Sequence, residues 1–115
     1  MTKKEKMAKA FFHQKAEELG LQVGFIINRG QIHLESAHPN TVAAYNFSGN
    51  EMMIEEVAIF MYSMESIYDM ILHEIAHAIA GREAGHGEVF IAVCKAIGCK
   101  GYKGVGNTYK INLKA

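Results

Sequence analysis

Three observations in the 115-residue sequence predict an α+β fold in which helices flank a small antiparallel sheet. A lysine- and glutamate-rich run with helical apolar spacing opens the chain. Two stretches rich in β-branched, aromatic and methionine residues follow, each broken by a glycine-containing turn. After Ser63 the helical spacing returns twice, and a glycine closes each run. Half of the residues are hydrophobic, which suits one domain over residues 1–115 built on a single core.

From Thr2 to Leu19, the residues Met7, Phe11, Phe12, Ala16 and Leu19 form an apolar stripe, and Gly20 supplies the stop. "LQVGFIINRGQIHLES" then places β-rich runs on either side of Arg29-Gly30. "VAAYNFSGNEMMIEEVAIF" does the same around Gly49-Asn50. These read as two hairpins or as one four-stranded antiparallel sheet. Between them, "SAHPNT" is turn chemistry, because Pro39 disfavours helix at His38. Ser63 is a suitable N-cap for a long helix through roughly Ala80, since Ile67, Met70, Ile71, Ile75, Ala78 and Ile79 recur at helical intervals. Gly81 ends it. A second helix starts near Gly87 and runs through Val89, Phe90, Val93, Ala96 and Ile97 to Gly98, and the remaining "CKGYKGVGNTYKINLKA" suggests a short hairpin or tail.

The formal net charge of zero conceals an asymmetry. From Gln31 to Glu88 nine acidic residues face one base, Arg82, whereas Val89 to Ala115 holds five lysines and no acid. Lys95, Lys100, Lys103, Lys110 and Lys114, with Tyr102 and Tyr109 among them, make a candidate contact for DNA phosphates and unpaired bases. The plainer alternative is a solvated basic edge that balances the acidic middle. No run approaches the ~18 apolar residues of a membrane span, and the basic N-terminus lacks the apolar core of a secretory signal, so a cytoplasmic address is expected. Cys94 and Cys99 are too few for a disulfide framework or a four-thiolate zinc site; they read as reduced thiols, with Cys94 a small core residue.

Chemistry concentrates in "HEIAHAIAGREAGHGEVF". On a helix, at ~100° per residue, His73 and His77 project to nearly the same side, one turn apart, and can hold one cation between them. Glu74 stands on the adjacent strip, where a carboxylate can hold and deprotonate an attacking water. That division of labour is the chemistry of H-E-x-x-H at zinc. A hydrolytic zinc site still needs a third protein ligand from outside the helix. Gly81 breaks the helix and Gly85 and Gly87 flank His86, which gives the backbone the freedom to turn that imidazole back.

"LHEIAHAIAG" followed by "GHGEVF" resembles the SprT-like, or Spartan-type, zinc metallopeptidases, whose pattern is a helical H-E-x-x-H, a short linker and a G-H-G-x-x-F/W segment opening the next helix. The resemblance is specific from Ile71 to Phe90 and weaker back to "AAYNFSGNEMMIEE". It implies a compact, minimal zincin-like α+β fold, one zinc held by His73, His77 and His86, Glu74 as catalytic base, and protein or peptide substrates. Many relatives act on DNA-bound proteins and carry a cysteine-rich zinc ribbon after this core. Here the basic tail stands in the ribbon's place, so a second zinc is not expected.

The expected activity is therefore peptide-bond hydrolysis, with a zinc-containing regulatory or DNA-associated binding module as the alternative from another class. Retention of Glu74 favours the enzyme, because a purely structural zinc has no need of a base. His13, His33 and His38 read as surface or packing histidines. Glu83 and Glu88 read as acids near a helix start, and Met52, Met53, Met61, Met64 and Met70 as packing residues. Tyr45, Tyr102 and Tyr109 are candidates for steadying an oxyanion, and spacing selects none of them.

Overall fold

A computed structural model describes residues 1–33 and 41–100. The order of elements is α1 (Lys3–Glu18), β1 (Gly24–Asn28), β2 (Ala43–Asn46), β3 (Glu51–Glu55), α2 (Glu56–Met61), α3 (Met64–Ala80), a 3-10 turn (Arg82–Ala84) and α4 (Glu88–Ile97). The architecture is α+β, as expected, but the sheet is three-stranded and mixed, in the order β1-β3-β2.

The hairpin expected at Gly49-Asn50 forms: β2 and β3 pair antiparallel, with Tyr45 opposite Met52. Asn50 takes the left-handed conformation the turn demands, with φ 51°, and Gly49 lies where a Cβ would come within 2.9 Å of Asn46 Nδ2. The hairpin expected at Arg29-Gly30 does not form among the described residues. Instead β1 pairs parallel with β3, Phe25 opposite Met52 and Ile27 opposite Ile54. Met52 and Ile54 are fully buried, so β3 takes the centre, and the half-buried β1 covers its free edge. Gln31, Ile32 and His33 carry no strand, and the Ile32 amide donates to Glu55 Oε2 at 2.9 Å.

"VAIF", expected at the end of a strand, belongs to α2. Ala58 and Ile59 turn inward, at 1% exposure each, while Val57, Phe60 and Met61 face out. That is helical spacing, and a short apolar run does not distinguish it from strand by composition. Met61, expected as packing, is therefore a surface residue.

Thr2 caps α1 through a capping box with Glu5. The buried stripe is Glu5, Ala8, Phe12 and Ala16. Met7 and Leu19 lie outside it and remain exposed. Ser63 caps α3 by accepting from the Ser66 amide at 3.2 Å, and Gly81 closes it at φ 93°. This helix is buried on two sides. Ile67, Met70, Ile71 and Ile75 join Phe12, Tyr45, Met52 and Ile54 in the main core, while Leu72 and Ala76 pack with Phe90 and Cys94 of α4 and with Cys99. His73 and Glu74 thus lie on the wall between two apolar clusters, on an element that has little room to shift. No described helix is long and apolar enough to cross a membrane. The C-terminal hairpin or tail, with Tyr102, Lys103, Tyr109, Lys110 and Lys114, and also His38, lie outside the described residues.

Candidate metal centre

The backbone between α3 and α4 reverses within seven residues, and glycines make the reversal. Gly81 and Gly85 hold φ values of 93° and 51°, which side-chain-bearing residues rarely adopt. The Ala84 amide donates to Gly81 O at 3.2 Å and the Gly87 amide to Ala84 O at 2.9 Å. This double turn folds His86 back over the last turn of α3. Its Nε2 lies 3.0 Å from His77 Nε2, and one nitrogen from each of His73, His77 and His86 falls within 4.8 Å of the other two. The three histidines singled out in the sequence thus share one nest.

Phe90, absent from the sequence-derived site, is its floor. It is fully buried, and its ring centre lies 4.9, 4.4 and 4.9 Å from those of His73, His77 and His86. The aromatic in the G-H-G-x-x-F pattern was a signal for it. Spacing along α4 alone marks only a core residue. Phe47, from the β2–β3 turn, stands roughly perpendicular to the His77 ring, their centres 6.4 Å apart.

Exposure is graded across the nest. His73 is buried, His77 half-buried and His86 exposed, so the nest opens on its His86 side. Burial, and then the neighbouring imidazoles, lower His73 to about 3. Burial followed by His86 lowers His77 to about 4, and burial also lowers His86. All three are neutral near pH 7, with lone pairs available for a cation, and a set of three imidazoles suits zinc. Tetrahedral zinc with bonds of ~2.0–2.1 Å needs nitrogens about 3.3 Å apart, a spacing within small side-chain adjustment of this nest. The donor set fits.

Glu74, one residue after His73, is 4% exposed. Burial, with the Cys94 sulfur adding to it, pushes its carboxyl up to about 8. Tyr45 is committed elsewhere, donating its hydroxyl hydrogen bond to Asn50 Oδ1 within the hairpin. Glu83 and Glu88 are exposed, Glu88 in the first turn of α4, and His13 and His33 are exposed away from the nest's histidines in sequence. Among the described residues, His73, His77 and His86 form the one group able to hold a metal ion.

The model of the SprT-like family matches residues 5–112. The chain belongs to the SprT-like family. Two solved structures are similar to this SprT-like chain. One is the metallopeptidase zymogen jannalysin of Methanocaldococcus jannaschii, with a TM-score of 0.62 at 17% identity over 93% of this chain and 85% of that one. The other is the metallopeptidase zymogen abylysin of Pyrococcus abyssi, with a TM-score of 0.59 at 14% identity over 90% and 86%. At such identities the likeness establishes the fold of the SprT-like chain. No curated protein sequence matches it.

Proposed function

We propose that this SprT-like chain is a zinc-dependent endopeptidase in which His73, His77 and His86 hold one zinc ion and Glu74 is the general base. The observation that carries the reading is the convergence of three neutral imidazoles, within 4.8 Å of one another, two of them from the helix that also carries Glu74. Bound zinc supplies a Lewis acid for the scissile carbonyl, an acidified water, and a positive charge that favours the carboxylate form of Glu74. Glu74 then takes a proton from the attacking water on a carboxylate oxygen and passes it to the leaving amine. His73, held between two cores, fixes the position of the centre, and the exposed side at His86 admits an extended peptide. Two thiols outside any disulfide are consistent with the cytoplasm as the working compartment.

The test uses unlabelled casein and zinc-loaded protein purified without a histidine tag. Wild type cleaves it and a chelator stops cleavage. Glu74→Gln keeps its zinc and fold but loses at least ~100-fold in rate, because an amide cannot accept the proton. Full activity in zinc-loaded Glu74→Gln removes Glu74 from the mechanism, and zinc binding without cleavage in wild type favours the non-catalytic module.

A further inference from the structure

The chain has two arginines, and they are used differently. Arg29 is neutralised by two carboxylates, Glu5 and Glu56, at 2.7 and 2.6 Å. Arg82 has no ion pair among the described residues. Its guanidinium carbon lies 5.5 Å from the centre of the Phe47 ring, and Nη2 donates to Ser48 Oγ at 3.4 Å. Phe47 in turn stands edge-on to His77 at 6.4 Å. The sole positive side chain between Gln31 and Glu88 is therefore seated at the rim of the histidine nest. A guanidinium stacked on an aromatic ring keeps its planar fork oriented and is more weakly hydrated than an ammonium, which suits it to grip a carboxylate.

We propose that Arg82, steadied by Phe47 and Ser48, is a specificity-determining residue that selects peptides carrying a carboxylate near the cleaved bond; this rests on reading the histidine nest as a peptidase site. The 5.5 and 6.4 Å legs through Phe47 bound the reach from Arg82 to His77, and at ~3.3 Å per extended residue that puts the carboxylate within roughly four residues of the scissile carbonyl. An acidic side chain and a peptide's C-terminal carboxylate offer the same planar, bidentate partner.

The experiment compares kcat/KM for four short peptides of one neutral sequence: capped at both ends, capped with one internal Glu, capped with one internal Lys, and with a free C-terminal carboxylate. Wild type prefers one or both carboxylate peptides by about 5- to 10-fold, chiefly through KM, and the preferred one identifies the source. Arg82→Gln brings the ratio near one, Arg82→Lys restores part of it, and Arg82→Glu turns the preference toward an internal Lys. Zinc content and thermal midpoint show that each variant is folded. A wild-type ratio of one, or a ratio that Arg82→Gln leaves unaltered, overturns the proposal. The same peptides, fluorescently labelled, are titrated onto zinc-loaded Glu74→Gln with Arg82 and with Arg82→Gln. If wild type cleaves nothing yet the titration shows an Arg82-dependent preference, carboxylate recognition stands and the peptidase reading falls. No preference in the titration overturns the recognition as well.

Discussion

Glu5 and Glu74 are both covered from solvent, at 2% and 4% exposure, yet their surroundings drive them in opposite directions. Glu5 is covered rather than deep: Arg29 and the α1 cap lie over it near the molecular surface. Its hydrogen bond with the Arg29 guanidinium holds its carboxyl below the usual range against the cost of burial, and the Thr2 amide adds to that. Glu74 is deep, between two apolar clusters, and burial pushes it up to about 8. The first glutamate has its countercharge built into the chain. The second directly follows His73 on α3, and imidazoles that are neutral near pH 7 give it no countercharge. A groove of about 980 Å³ opens at the Glu5–Arg29 node, between Thr2, Arg29, Thr41 and Phe60. What separates the nest from the Glu5–Arg29 node is donor chemistry: three neutral imidazoles have lone pairs able to ligate a cation, whereas the charges of the node already meet one another.

The hardest way to break the contrast is to remove the ligand that the glycine turn delivers. His86→Ala is expected to lose at least ~100-fold in zinc affinity and most of the rise in thermal midpoint that added zinc produces. Calorimetric titration and melting measure both, and His33→Ala serves as the control that keeps its zinc. If the control loses zinc and His86→Ala does not, the ligand assignment is wrong.

A pH series sharpens the contrast between the two carboxylates. In metal-free protein Glu74 binds a proton that the unfolded chain has already released above the usual carboxylate range. Its contribution to stability is present at low pH and is lost as pH rises through about 8. Between pH 6.5 and 8 the contribution of Glu74 should fall by about 2 kcal/mol, so metal-free wild type should lose stability relative to Glu74→Gln by that order in denaturant titrations. The histidines work on the other side. With folded values of about 3 and 4 for His73 and His77, stability is lost as pH falls below 6.5. A stability difference between metal-free wild type and Glu74→Gln that is the same at pH 6.5 and 8 would contradict the burial assigned to Glu74.

The smallest effect is expected at the satisfied node. Glu5→Gln keeps a side chain able to complete the capping box but removes a charge facing Arg29, and should cost ~1 kcal/mol or less in the same titrations. Because the folded pKa of Glu5 is lowered, its contribution is present at neutral pH and disappears in acid, the reverse of Glu74. A loss of zinc in Glu5→Gln would show that the two regions are not independent.

Much of this could be read from residue order. Ser63 and Gly81 bound α3, Gly87 and Gly98 bound α4, and His73, Glu74 and His77 follow from one helical turn, because each is a local rule about capping, φ or periodicity. The histidine after the turn could also be singled out, since its flanking glycines mark a backbone free to reverse. Pairing was not legible in the same way. A β-rich run records that it is a strand, not which edge it joins, so β1 read as half of a hairpin and instead lies parallel to β3. The apolar run at Val57 to Phe60 was ambiguous for a related reason: composition fits either periodicity until burial chooses between them.

By itself, then, the sequence determined α1, α3 and α4, the residues that bound α3 and α4, the β2–β3 turn and the residue types of the nest, all of which depend on neighbours a few positions away. Tertiary structure alone decided that β3 is central, that Arg29 meets Glu5 and Glu56, that Phe90 underlies three imidazoles, and that Arg82 rests on Phe47. It also decided the charge of Glu74. A carboxyl's proton affinity is set by the dielectric and charges that packing places around it, and no local pattern in the chain encodes those.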